Sequence, residues 1–145
     1  MIRILAATDG SEDAGRAIDY AARLAENLGA ELLIANVIGG YGLPDEIFKR
    51  FTRSQAVWLD ELLEAHSAAL LAAARERALG FGAGPVEIES RTGNVVDTLL
   101  KIAGDRNADA VVVGRRGASG AASLLLGSVA HKLVSLSSRP VIVVP

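Results

Sequence analysis

The chain has 145 residues, half of them hydrophobic but only 4% aromatic, with a formal net charge of -2 and no cysteine. That composition excludes disulfides, thiolate metal sites and cysteine nucleophiles. It also supplies no global basic field to recruit nucleic acid or an anionic membrane.

The length suits one domain, 1–145, around a single core packed by Ala, Val and Leu. No apolar run approaches the ~20 residues of a membrane span. The N-terminus MIRILAATDG lacks the long apolar stretch and small-residue cleavage site of a signal peptide. The expectation is a soluble, cytoplasmic protein.

Ile2 to Ala7 reads as a strand closed by Asp9-Gly10. Ser11 is placed to cap a helix whose first turn carries Glu12 and Asp13, where the dipole favours negative charge. Ala14, Ala17, Ile18, Ala21, Leu24, Ala25 and Leu28 mark its inner face, and Gly29 ends it. Glu31 to Ile38 is a second strand, and Gly39 to Pro44 a glycine-rich connection. A long helix runs from about Phe51 to Leu79, with Leu59, Leu62, Leu63, Leu70 and Ala73 at helical spacing.

Val86 to Arg91 alternates apolar and polar residues, as expected of a strand with one wet face near a sheet edge. Asn94 can cap a helix bearing Val96, Leu99, Leu100 and Ala103. Ala108 to Val113 is continuously apolar and reads as a central strand. Gly127-Ser128 opens a last helix with Val129, Leu133 and Leu136 inward, and Val141 to Val144 is the fifth strand. This βαβαβαβαβ order predicts a mostly parallel sheet with helices on both faces. Ligands then sit beyond the carboxyl ends of the strands where strand order reverses. Thr8-Asp9-Gly10 and the loop from Gly114 are the two candidate positions.

The second loop, VVVGRRGASGAASLLLGSV at 111–129, has the chemistry of a phosphate cradle. Backbone N–H groups at a helix start bind anions, and glycine lets the chain approach closely. Gly114 would let the chain leave the strand beside a ribose, and Gly117 would let the loop approach phosphates. Gly127, Ser128 and Val129 would supply N–H donors, with the Ser128 hydroxyl beside them. The plainer reading is a loop that merely needs glycines, with Ser128 as an N-cap. Neither a P-loop nor a dinucleotide fingerprint is present.

The spacing G-x2-G-x9-G-[ST], after the fourth strand of a five-strand α/β unit, resembles the universal stress protein family. ATDGS at 7–11, NVI at 36–38, LLLGSVAHKLV at 124–134 and RPVIVVP at 139–145 extend the resemblance over nearly the whole chain.

The resemblance implies a three-layer α/β/α fold, flavodoxin-like or adenine-nucleotide-hydrolase-like, with five parallel strands in the order 3-2-1-4-5. It implies the subclass that binds ATP, with Mg2+ or Mn2+ carried by the phosphates, acting as a sensor or regulator in stress. By position, Asp9 would contact the nucleoside, the Val37 backbone the adenine edge, and Ala7 and Thr8 the same pocket. Gly114 would lie by the ribose, with Gly117, Gly127, Ser128 and Val129 around the phosphates. It also implies a two-fold dimer through the edge strand Val141–Val144, whose exposed groups invite pairing.

Several residues remain open. Asp9 can accept from ribose or adenine, or simply form the turn before Gly10. Arg115 and Arg116 can fork onto phosphate oxygens, or point into solvent. His66 reads as a partly buried helix residue, and His131 has no acidic neighbour to orient it. Trp58 and Phe51 are expected to cover the sheet or a subunit contact, and Glu87 and Glu89 to form a solvated face. No Ser-His-Asp arrangement is visible, so catalysis would amount at most to slow ATP hydrolysis. The other alternative is a non-nucleotide interaction scaffold with a vestigial pocket.

Overall fold

The computed structural model describes residues 1–39, 49–116 and 126–145. Five strands alternate with four helices: β1 (Arg3–Ala7), α1 (Glu12–Leu28), β2 (Glu31–Ile38), α2 (Arg53–Gly80), β3 (Val86–Thr92), α3 (Val95–Asp105), β4 (Ala110–Gly114), α4 (Ser128–Leu136) and β5 (Val141–Val144). All strand pairings are parallel, and the order across the sheet is β3-β2-β1-β4-β5. The flavodoxin-like order is therefore present, with the alternating β3 and the short β5 at the edges.

Strand periodicity sorts side chains onto two faces. Ile4, Ala6, Leu32, Ile34 and Val112 join Ala17, Ile18 and Ala21 of α1 and Leu71 and Ala78 of α2 in one apolar cluster. Leu5, Leu33, Ala35, Val111 and Val113 join Leu99 and Ile102 of α3 and Leu133 of α4 in the other. Alanine dominates the inner face of α1, so that helix can sit close against the sheet. The predicted caps form: the side chains of Ser11 and Asn94 accept from the amides of Ala14 and Asp97, and Gly29 is left-handed at φ 63°.

The helix faces differ in detail from the sequence reading. Leu28 and Leu136 are exposed, because both fall in last turns that have run past the sheet. In α4 the buried side chains are Ala130 and Leu133, with Val129 only partly covered. In α2 the buried stripe is Ser67, Leu71, Ala74 and Ala78, while Leu62, Ala73 and His66 face outward. Trp58 is 63% exposed and covers no part of the sheet. Glu87 and Glu89 are not merely solvated: both pair with Arg106, and Glu89 also pairs with Arg91.

Candidate functional site

The strand order reverses between β1 and β4, which are hydrogen-bonded neighbours in register Leu5↔Val111 and Ala6↔Val112. Their carboxyl ends bring Ala7, Thr8 and Asp9 to the same edge as Gly114, Arg115 and Arg116. Val37 lies near the end of β2, two residues beyond Ala35, the partner of Ala7. Ala7, Val37 and Val129 all pack against the cluster beneath α3 and α4. Gly117 lies outside the described residues, as does the connection from Gly40 to Asp45.

Two helices present their N-termini at this edge, and they are not equivalent. At the start of α1, the Ser11 side chain accepts from the Ala14 amide, and Glu12 and Asp13 add negative charge. That end is already satisfied and repels anions. At the start of α4, the N-cap is Gly127, which has no side chain to offer, and the first turn carries no acid. Ser128 is therefore the first helical residue, not the cap. Among the described residues no side chain caps the early amides of α4, and Ala130 and Gly127 are buried.

Backbone bonds hold this helix mouth in place. The Arg115 amide donates to the Val144 carbonyl at 2.8 Å, and the Arg115 carbonyl accepts from the Gly127 amide at 2.7 Å. One residue thus fastens the end of β5 and the entry to α4 onto the end of β4. Its Nε is buried and has no hydrogen-bond partner among the described residues. Arg116 donates its amide to Asp13 Oδ2 at 3.1 Å, and its Nε lies 3.7 Å from the same oxygen. Asp13 also pairs with Arg16. Both loop arginines are half-buried, so neither is simply solvated.

Gly114 has a structural reason that its position alone does not reveal. A Cβ there would lie 2.7 Å from the carbonyl carbon of Asp13 and 3.0 Å from the Ala14 amide nitrogen. The end of β4 touches the first turn of α1, and only glycine allows that approach. Asp9 is exposed, and its Oδ1 accepts from the Ser11 amide at 2.9 Å. The turn-forming role is thus realised, ahead of Gly10 at φ 82°.

Beneath Thr8 runs a polar chain that the sequence reading missed. The Thr8 amide donates to Ala35 O at 2.9 Å, and Thr8 O accepts from Asn36 Nδ2 at 2.7 Å. Ser67 donates to Asn36 Oδ1 at 2.6 Å, and Ser67 and Ser90 hydroxyls are 2.8 Å apart. A hydroxyl has one hydrogen, so Ser67, committed to Asn36, must accept from Ser90. The direction Ser90 to Ser67 to Asn36 to Thr8 is fixed, and it joins β3, α2, β2 and the end of β1. The signal was present in the sequence: an Asn inside an apolar strand, and a Ser on the inner face of an alanine-rich helix.

The shifted ionisations lie elsewhere. The pKa of Arg77 is raised by the hydrogen bond its guanidinium donates to Asp19, and that of Arg91 by the bond it donates to Asp105. Arginine is charged at physiological pH in any case, so neither shift changes the site. Among the described residues no helix is long and apolar enough to cross a membrane, and no cluster of three or more His, Cys, Asp or Glu is placed to hold a metal.

A doubly wound parallel sheet in the order 3-2-1-4-5, with helices on both faces, defines the flavodoxin-like class of α/β folds. The model of the universal stress protein family matches residues 1–145, and the chain belongs to that family. Universal stress protein YxiE of Bacillus subtilis (strain 168) is 30% identical over 145 residues, covering 98% of this chain and 97% of YxiE. A crystal structure of a universal stress protein in complex with cAMP is similar with a TM-score of 0.73 and 30% identity, covering 99% of this chain and 95% of that one. UspA from Lactobacillus plantarum shares the fold, with a TM-score of 0.83 at 24% identity over 99% of this chain and 97% of its own.

Proposed function

We propose that the chain, as one universal stress protein domain over 1–145, binds ATP at the carboxyl edge of β1 and β4 and acts as a regulator or sensor in stress. The observation that carries this reading is the start of α4. It is a helix mouth without side-chain cap or acid, held against the end of β4 by the bond from Gly127 to Arg115. The first amides of α4, the Ser128 hydroxyl and the Gly117 segment take the phosphates. Gly114 and Asp9 lie toward the ribose, and Ala7, Thr8 and the Val37 backbone toward the base. The buried Nε of Arg115, which has no hydrogen-bond partner among the described residues, supports an anion in this position. A Mg2+ or Mn2+ ion would travel on the phosphates, held by their oxygens and by water.

The chain is a binding module in this reading, cytoplasmic, and paired with a second copy through the edge strand Val141–Val144. The crystal structure with cAMP, at 30% identity over nearly the full chain, favours a second reading. In that reading the physiological ligand is a cyclic or single-phosphate adenine nucleotide, and the loop holds fewer phosphates.

Calorimetric titration with ATP, AMP and cAMP separates the two. ATP binding tighter than the others supports the first reading, cAMP tighter than ATP the second, and no saturable binding at millimolar nucleotide ends both. Ser128→Pro isolates the helix mouth. Proline fits the first helical position and removes one unsatisfied N–H. Loss of one charge-assisted bond weakens ATP by about tenfold or more, beyond any loss in Ser128→Ala, with thermal stability unchanged.

A further inference from the structure

At the carboxyl end of β1 the ladder with β2 stops one step sooner than its register allows. The two strands pair as far as Ala7↔Ala35. Thr8 comes next, opposite Asn36, and its amide still donates to the Ala35 carbonyl at 2.9 Å, as a continuing parallel ladder requires. The same ladder would bring the Val37 amide to the Thr8 carbonyl. Among the described residues no such main-chain bond forms. The Asn36 side chain holds that carbonyl instead, through Nδ2 at 2.7 Å.

The other bonds of β2 fix where the Val37 backbone points. In a strand the N–H and C=O of one residue face the same neighbour, and successive residues alternate. Leu32 donates to the Pro85 carbonyl and the Ile38 carbonyl accepts from Gly93, so the even-numbered residues of β2 face β3. Glu31 donates to the Ile2 carbonyl and the Ala35 carbonyl accepts from Thr8, so the odd-numbered ones face β1. The Val37 N–H and C=O therefore point to the β1 side, just past the last ladder bond. A donor and an acceptor stand together there, at the carboxyl edge of the sheet.

Asn36 is itself held to this task. The Thr8 carbonyl can only accept, so Nδ2 must face it. Oδ1 accepts from the Ser67 hydroxyl of α2 at 2.6 Å, and Asn36 and Ser67 are both buried. Turning the carboxamide over would set oxygen against oxygen at Thr8 and an NH2 group against the Ser67 proton. Burial makes both mismatches costly.

We propose, building on the reading that sets the Val37 backbone toward the base of a nucleotide, that Asn36 is a positioning residue for base specificity. By taking the Thr8 carbonyl, its side chain keeps the Val37 N–H out of the ladder and presents the Val37 N–H and C=O together to the base. Adenine carries a ring-nitrogen acceptor beside an amino donor, and so matches the pair. Hypoxanthine has a carbonyl oxygen in place of the amino group, and would set lone pairs against the Val37 carbonyl. With Asn36 shortened to alanine, the Thr8 carbonyl falls to the Val37 amide, and the donor is lost to the base.

The test is amide hydrogen exchange of the full chain, followed by NMR at Val37, with Ala35 inside the ladder as the reference. In the free protein Val37 should exchange faster than Ala35. Saturating ATP should slow it by about tenfold or more, and inorganic tripolyphosphate, which has no base, should leave it unchanged. Calorimetry should find ATP bound about tenfold more tightly than inosine triphosphate. Asn36→Ala should bring that preference to about unity while the affinity for tripolyphosphate stays the same. Ser90→Ala, at the outer end of the same polar chain, should keep the preference. A merely structural role for Asn36 would weaken all three ligands alike. A Val37 amide as protected as Ala35 in the free protein, or one that bound ATP leaves unprotected, overturns the proposal without any variant. So does an Asn36→Ala protein that still prefers ATP. Failure of both ATP and tripolyphosphate to bind would overturn the nucleotide reading itself, and this proposal with it.

Discussion

At the scale of single residues, Gly114 shows how one position can answer to two demands. Its place at the end of a strand marked it as a candidate for the edge of a nucleotide site. The structure adds that a methyl group there would press within 3 Å of the Asp13 backbone. Backbone cannot rotate aside as a side chain can, so α1 would have to shift away from β4. Gly114→Ala should therefore destabilise the protein by about 1–3 kcal/mol, measured by urea unfolding without nucleotide. Loss of binding in that variant would by itself say little about contact with a ribose. Ser128→Pro is the cleaner probe, because it removes a donor while keeping a helical first turn. Asp9 carries a related lesson. Asp before Gly was legible as a turn, and the bond from the Ser11 amide bears that out.

At the scale of elements, the fold was legible because the strands and helices carry different periods. The continuous apolar run at 108–113 marked a central strand, and the alternation at 86–91 marked an edge. The inner faces of the helices were read less well, and α2 shows why. Its sequence offers leucine and alanine on nearly every side, so several stripes satisfy a 3.6-residue spacing. Which stripe is buried depends on how far the helix runs beyond the sheet, and that is a tertiary fact. The stripe through Leu62 and Ala73 lost to the one through Ser67, Leu71 and Ala78. Leu71→Ala should then lower stability by about 2–4 kcal/mol, as a cavity in a packed core does. Leu62→Ala, exposed in the single chain, should change it by less than about 0.5 kcal/mol in dilute solution. Equal losses in chemical denaturation would mean that the helix is rotated from the orientation described. The Asn36–Ser67–Ser90 chain escaped for a similar reason: each residue is ordinary by itself, and only strand register and helix rotation bring the three together.

At the scale of the whole molecule, two apolar layers sandwich the sheet, and the candidate site lies at its carboxyl edge, outside both. Binding there would act on stability by mass action. At a hundredfold excess over its dissociation constant, a ligand that recognises only the folded chain adds about 2.7 kcal/mol. ATP should thus raise the melting temperature progressively with concentration, and the gain should shrink in Ser128→Pro. A melting temperature indifferent to millimolar ATP would count against the site.

The one-way run of hydrogens under Thr8 limits what that residue can say to anything resting on it. Its amide is committed to Ala35, its carbonyl to Asn36, and its Oγ1 already accepts from Gly10 at 3.2 Å. What Thr8 retains on its side chain is the hydroxyl proton and one open lone pair of Oγ1. A visiting molecule would find there a single atom able to answer either an oxygen or an amine.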